Sequence, residues 1–396
     1  MVLCLPFPSK SPPPNLEDPA IKAIAVTIPA PGLTVVRLPR SGGHEEFFIT
    51  AVPTVGNDDL PGLLAAARHA AHAAGATMVA EDVFGIPPPG TDDGTVWHCA
   101  ETAKKLDWPA TWLDGGPGSG SEPLSGVQVH AVKGVDVQRL TLGGRIVGSV
   151  FDDGFARHCR LGGLHAAHPA AGPEEQTRET FEFLEAALGL AGLDFSHVVR
   201  TWFYLDRILS WYGPFNRVRD RFFQERRVFD GLVPASTGVG GANPTGSVLM
   251  VDAYALQPHK GKVKIQAVPS PLQCPALAYG SSFSRAVEAA FPDHRRLWVS
   301  GTASIEPGGK TVHLDDMAGQ IDQTMKVVAA ILESRRMEWA DVTRAIAYFK
   351  GGHGVALFRE YCVAHGLAAM PVVLAEHDIC RDDLLFEIEL DAIAGP

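Results

Sequence analysis

Three stretches of this chain repeat one order of elements, and a repeat of that kind constrains the fold before any single motif does. In the last third, RRLWVSGTAS reads as a strand rich in β-formers that ends in a glycine turn. DDMAGQIDQTMKVVAAILESRR then places Met317, Ile321, Met325, Val328 and Leu332 at helical spacing, which predicts an amphipathic helix. DVTRAIAYFK follows as a strand, GVALFREYCVAHG as a second helix, and MPVVLAEHDIC and LLFEIELDAIA as closing strands. The middle third keeps this β-α-β-α-β-β order through GRIVGSV, PEEQTRETFEFLEAALGLAG (opening on Pro173 and two glutamates), HVVRTWFYL, PFNRVRDRFFQE, VPASTGVGG and GSVLMVDAYAL. The first third is fainter: EEFFITAVP, DDLPGLLAAARHAAHAAG, MVAEDVFG, AETAKKLDWP, ATWLDGG and SGVQVHAVKG. Boundaries fall in polar or Pro/Gly-rich stretches, giving an N-terminal arm over 1–30, units over 31–140, 141–258 and 277–396, and a linker over 259–276.

Composition narrows the partners. A net charge of −11 weighs against a nucleic-acid surface spread over the molecule, so a small-molecule partner is expected. No apolar run reaches the roughly 18 to 20 residues of a membrane helix. The six cysteines (4, 99, 159, 274, 362 and 380) form no C-x-x-C pair, and the N-terminus is interrupted by prolines, which predicts a reducing, cytoplasmic setting. His158, Cys159, His165 and His168 lack a regular ligand spacing and are expected in an ordinary loop, so no metal is expected.

Chemistry-bearing residues concentrate in the second and third units. In VVRTWFYL, alternation puts Arg200, Trp202 and Tyr204 on one strand face and Val199, Thr201, Phe203 and Leu205 on the other. The first face offers a cation and two aromatics, which suits a flat, ring-shaped acid. On the next helix, Arg217, Arg219 and Arg221 are expected as a solvated stripe with snorkelling side chains. PASTGVGGANPTG lacks the G-x-x-x-x-G-K-[ST] of a phosphate loop; the amides around Thr237 and Gly238 either hold a carboxylate or form a bulge or hairpin turn. YGSSFSRA adds Tyr279, Ser282, Ser284 and Arg285 as candidates for the same cleft. In the closing strand Glu387, Glu389 and Asp391 alternate with Phe386, Ile388 and Leu390, so the three acids share a face. Acids held together raise one another's pKa, a route to a carboxylic acid that donates a proton near neutral pH; the alternative is a solvated edge.

The pattern V-S-G-T-A, Q, T, V-x-A-x-L, D-V, Y, P-A and E-I-E-x-x-A-I-A resembles the YjgF/RidA superfamily. That resemblance implies chorismate-mutase-like α/β units of the kind that normally form homotrimers with sites between subunits. Three tandem units then imply a single-chain pseudo-trimer with a barrel-like core, monomeric or a low-order homo-oligomer. The family's deaminases place a carboxylate-clamping arginine just after the Pro-Ala of the penultimate strand. Here Thr111, Ser236 and Val372 stand near those places, and Arg285 is the expected replacement. The family's acidic position has its expected counterparts at Gln128 in unit one and Met250 in unit two, neither able to shuttle protons, while unit three offers Glu387, Glu389 and Asp391.

RTWFYL, PASTGVGG, YGSSFSRA, SGTASI and CRDDLLFEIE are similar to the chorismatase branch. That similarity implies an enzyme that takes chorismate, or a related small carboxylated enol ether, to pyruvate plus a cyclohexadiene acid or hydroxybenzoate, without metal or organic cofactor. It implies Glu387 or Glu389 as general acid and Cys380 beside it, as in the hydroxybenzoate-forming members. Substrate-contacting positions on this resemblance are Arg200, Trp202, Tyr204, Thr237, Gly238, Tyr279, Ser284, Arg285, Ala303 and Arg381. An enamine/imine hydrolase of altered specificity and a catalytically silent small-molecule-binding or regulatory protein are the alternatives.

Overall fold

The computed structural model describes residues 25–54, 59–86, 98–99, 104–115, 124–352 and 354–396. Three six-stranded sheets form their framework. Unit one contributes Ala25–Ala30, Leu33–Pro39, Glu45–Ala51, the helix Leu60–Ala73, and strands Thr77–Phe84, Ala110–Leu113 and Gly126–Lys133. Unit two runs Gln138–Leu142, Arg145–Asp152, Ala156–His165, helix Pro173–Leu190, Val198–Leu205, helix Tyr212–Glu225, Ala235–Gly240 and Leu249–Pro258. Unit three runs Lys264–Val268, Ala286–Ala290, Arg295–Ala303, helix Met317–Ser334, Val342–Phe349, helix Gly354–Ala364, Val372–Glu376 and Phe386–Ala394.

Numbered within a unit, the strands lie in the order first, second, third, sixth, fourth, fifth, and this order occurs three times. The fourth and fifth strands run parallel, and the other neighbours are antiparallel. The unit is therefore β-β-β-α-β-α-β-β, with strands at its front that the sequence order lacked. Lys264–Val268 falls inside the expected linker and pairs with Ala286–Ala290, while Ala25–Ala30 falls inside the expected arm. Both are outer strands bordered by polar or proline-rich sequence, the first exposed over 26–30 and the second partly solvated, so neither shows a clear buried face. His158, Cys159 and His165 belong to the strand Ala156–His165, not to a loop; a register shift between Leu161 and Leu164 breaks its alternation. In unit one, the part of AETAKKLDWP that is described shows no helix, and Lys104–Lys105 pairs with His98–Cys99.

Each sheet buries one face under its own helices. Phe181, Leu184 and Leu188 of Pro173–Leu190, with Phe215 and Phe222 of Tyr212–Glu225, pack on Phe203, Leu205 and Val251. Ile321, Met325, Val328 and Leu332 do the same for Ile388 and Leu390. Each such fully buried side chain stabilises the fold by roughly 1.5–3 kcal/mol. The opposite faces meet in one interior cluster drawn from all three units, with Phe84 and Leu113, Tyr204 and Met250, and Ile346 and Tyr348 among its members. The units close head to tail. Thr111 of unit one bonds Asp252 of unit two (2.5 Å), Thr237 of unit two bonds Glu389 of unit three (2.5 Å), and Gln128 of unit one bonds the Ala345 carbonyl of unit three (2.9 Å).

Candidate active site

The closing strand Phe386–Ala394 is buried along its whole length. Its even residues enter the helix-side core, so Glu387, Glu389 and Asp391 point into the junction with unit two rather than to solvent. Glu389 is fully enclosed and has four donors. Arg200 and Thr237 bond Oε2, the latter at 2.5 Å, while Trp202 Nε1 and Arg344 Nη2 bond Oε1 at 2.8 and 3.0 Å. Burial alone raises such a carboxyl, but Arg200 and Arg344, aided by Thr237 and Trp202, hold it below its ordinary value. Glu389 is thus a fixed anion.

Glu387 stands two residues away with the opposite character. It is 5% exposed, and no hydrogen bond reaches its carboxyl among the described residues. Burial first, and the charge of Glu389 second, push its pKa up to about 8; Arg200 and Arg285 offset only part of this. Two neighbouring carboxyls driven apart in this way assign themselves roles: one stays ionised and the other carries a proton at neutral pH. Room for the Glu387 carboxyl comes from Gly301, where an added Cβ would lie 2.0 Å from Oε1. The Gly301 amide also donates to Thr237 Oγ1 (3.0 Å), which ties the third strand of unit three to the fifth strand of unit two.

The helix Tyr212–Glu225 covers this corner. Tyr212 feels Cys380, Arg219 and Glu387, and its phenol is pushed up chiefly by burial. It lies beside Gly238, where a Cβ would stand 3.7 Å from its hydroxyl. Tyr212 also hydrogen-bonds Cys380, whose thiol burial pushes up to about 12. The cysteine is therefore a neutral thiol. Arg219 is not on the solvated face that the arginine stripe predicts: it is 2% exposed, with Nε and Nη2 unpartnered among the described residues. Its nearest acid, Asp220, is 3.7 Å away. Arg217 does lie outside, paired with Glu174. The signal for Arg219 was present in the sequence, since it stands four residues after Phe215 and three before Phe222, both buried. Tyr212, three residues before Phe215, lies on the same stripe and stacks on that ring.

The other expected residues divide. Thr237, Cys380 and Arg285 adjoin the acid pair, Gly238 lies against Tyr212, and Ala303 is the register partner of Glu387. Arg285 rests on the Cys274 carbonyl through Nε and Nη2, both at 3.1 Å. Arg200 and Trp202 serve Glu389, and the indole is covered by the guanidinium groups of Arg160, Arg200 and Arg344 at 4.5, 4.6 and 5.3 Å. That face therefore has no room for a ring-shaped acid. Tyr204 packs edge-on against Phe84 in the interior. Ser284 donates to the Val233 carbonyl (2.6 Å), and Arg381 donates to that of Gly309 (2.8 Å). The Tyr279 side chain lies outside what is described. Val199 joins the interior cluster, because a register shift between Val198 and Arg200 turns it inward.

Register also corrects the expected counterparts of the acid. Opposite the fourth strands, Glu387 pairs with Tyr348, Met250 with Tyr204 and Gly126 with Phe84. Gln128 instead shares the level of Glu389 and Asp252, opposite Asp82, Ile346 and Trp202 respectively. Among the described residues, no three His, Cys, Asp or Glu side chains are grouped to hold a metal, and no helix is long and apolar enough to cross a membrane.

Three sheets of one topology, joined head to tail in one chain, define a pseudo-trimer of three tandem units. No protein-family model matches the chain. It is 28% identical over 220 residues to Chorismatase of Streptomyces hygroscopicus, an alignment that takes in 50% of this chain and 62% of that protein. It is 26% identical over 237 residues to 3-hydroxybenzoate synthase of the same organism, covering 53% and 65%. The matched region thus spans less than two thirds of either relative. A crystal structure of chorismatase at 1.08 Å superposes with a TM-score of 0.60 over 87% of this chain and 98% of that one, at 19% identity, a likeness of fold. In sequence the chain is thus similar to the chorismatase branch, and in fold it is like chorismatase.

Proposed function

We propose that the junction of units two and three is the active site of a chorismatase-like enzyme that cleaves a small carboxylated enol ether, chorismate first among them, and releases pyruvate. The observation that carries this reading is the carboxyl pair, with Glu387 protonated at neutral pH and Glu389 held ionised by two arginines. The Glu387 carboxyl transfers its proton to the methylene carbon of the enol ether, and the ether oxygen shares its lone pair with the adjacent carbon to form an oxocarbenium ion. Glu389, fixed in a water-poor setting, opposes that developing positive charge. Water adds to the cationic carbon and gives its proton to the Glu387 carboxylate; the resulting hemiketal collapses to pyruvate and the ring alcohol. Capture of the cation by a group of the ring itself leads towards a hydroxybenzoate instead. Arg219, whose Nε and Nη2 have no partner among the described residues, grips a substrate carboxylate. Cys380, a neutral thiol, lines the site without acting as a nucleophile.

The test is pyruvate release from chorismate, followed with lactate dehydrogenase, for wild type, Glu387→Gln and Glu389→Gln. Loss of release in Glu387→Gln supports the assignment of the acid. A well-folded wild type that frees no pyruvate refutes the reading; ammonia release from iminoacrylate would then favour an imine hydrolase.

A further inference from the structure

We infer that unit one takes part in this site through Gln128, a positioning residue that aims Arg344 at Glu389. The inference rests on reading Glu387 and Glu389 as the acid pair.

Gln128 belongs to the closing strand of unit one and is 4% exposed, yet both ends of its amide are engaged by unit three. Its Nε2 donates to the Ala345 carbonyl (2.9 Å), and its Oε1 accepts from Arg344 Nε (2.9 Å). These partners fix the amide's orientation, since a flipped group would set NH2 against the arginine N–H and oxygen against a carbonyl. Gln128 therefore holds the backbone at 345 and the side chain at 344 together. With its Nε edge occupied, the Arg344 guanidinium presents Nη2 to Glu389 Oε1 at 3.0 Å and turns Nη1 towards Asp391 Oδ2 at 3.5 Å.

Take the Gln128 oxygen away, and this geometry loses one of its three anchors. The guanidinium has somewhere to go: Gln128, Arg344, Asp82 and Asp391 line one interior cavity, and Asp391 Oδ1 has no hydrogen-bond partner among the described residues. An arginine that swings to Asp391 leaves Glu389 with Arg200 as its remaining cation.

The consequence is electrostatic and has a definite sign. The charges and titratable groups facing the pair from their own strand are Asp391, from Val198–Leu205 Arg200 and Tyr204, and from Val342–Phe349 Arg344 and Tyr348. From the other side come Arg285, Cys380, and Tyr212 with Arg219 on the covering helix. Beyond Trp202 lie Arg160, Asp82 and Asp252. Withdrawing one cation from this set strengthens proton binding by both glutamates, so both titrations move to higher pH. A glutamine that merely filled space would leave them where they are.

The experiment is a 13C NMR titration of the glutamate side-chain carboxyls in the full chain, with Glu387→Gln and Glu389→Gln to assign the resonances. In Gln128→Leu, both titrations should rise, by about one pH unit for Glu389. In Gln128→Met, which keeps the length of the side chain without its amide, the same rise is expected, and this variant keeps the test alive if the leucine chain does not fold. The alkaline limb of the pyruvate-release profile should shift in parallel. Unchanged titrations in a folded Gln128 variant overturn the inference while leaving the proposed reaction intact. Shifted titrations in a chain that releases no pyruvate support the inference for the acid pair and refute only the reaction.

Discussion

Gly301→Ala separates catalysis from stability with one methyl group. The new Cβ would lie 2.0 Å from Glu387 Oε1, 2.9 Å from its carboxyl carbon and 3.2 Å from Thr237 Cγ2. Carbon and oxygen do not approach closer than about 3 Å without repulsion, so the carboxyl must withdraw by about 1 Å. The obstructing atoms are the free end of a side chain, which can rotate away, and nothing in the backbone has to move. Gly301 has an ordinary negative φ, so alanine also reduces the freedom of the unfolded chain, worth about 0.5–1 kcal/mol in favour of folding. Stability should change little. Catalysis should not escape, because displacing a reacting group by about 1 Å costs about 100-fold, or about 3 kcal/mol of barrier. The assay is kcat/KM for pyruvate release beside a thermal melt. Gly238→Ala serves as the comparison, since its Cβ would meet Tyr212 no closer than 3.7 Å. A Gly301→Ala enzyme that keeps its Tm and stays within about threefold of wild-type activity would refute the placement of Glu387 as proton donor.

Further expectations follow from the same groups. Glu387 binds its proton more tightly folded (about 8) than at its ordinary 4.5, so its contribution to stability is full below about pH 4.5 and is lost as pH rises towards 8. Glu387→Gln should therefore be more stable than wild type at pH 8 by on the order of a few kcal/mol, an advantage that vanishes at pH 4.5 in urea melts. In wild type, the rate of pyruvate release should fall above about pH 8 as the acid ionises. Arg219→Met should raise KM or lower kcat/KM by about 100-fold without loss of Tm, because a buried cation with two unpartnered nitrogens contributes nothing to folding that methionine cannot match. Cys380, held as a thiol to about pH 12, should resist iodoacetamide at pH 8, as mass spectrometry of the labelled peptides would show.

What the sequence discloses depends on where each element lies. Phe386, Ile388 and Leu390 alternate with Glu387, Glu389 and Asp391 because one face meets helices and the other meets the neighbouring unit, so both the strand and the acid face were legible. The helix Met317–Ser334 was equally plain, since one face alone is buried. Outer strands such as Lys264–Val268 were not, because only Val268 is fully buried in the core and the other four residues stay partly or wholly solvated. Arg219 was misplaced because charge was read ahead of periodicity. The role of Trp202 could not be read at all: its ring is closed off by Arg160 of its own unit and Arg344 of the next, a contact between residues far apart in the chain. The level of Gln128 required the fourth-strand register, which no residue pattern carries.

The three junctions of the ring show how one site came to differ from its siblings within a single chain. At the junction of units one and two, Thr111 donates to Asp252 and accepts from the Gly163 amide (2.9 Å), as Thr237 does with Glu389 and the Gly301 amide. The hydrogen-bond framework is thus repeated, although burial pushes the Asp252 carboxyl up to about 6, and the level that matches Glu387 holds Met250, fully buried in apolar contacts. At the junction of units three and one, that level holds Gly126, and Val373 fills the space so closely that a Cβ there would stand 2.7 Å from it. A lowered carboxyl and a raised one stand on adjacent levels at the junction of units two and three. Identical subunits could not divide the labour in this way, because a residue that seals one interface would seal all of them. Fused units can: Met250 fills one junction and Val373 crowds Gly126 at another, while Gln128, at the level where the remaining junction has Glu389, bonds Arg344, which in turn bonds that glutamate.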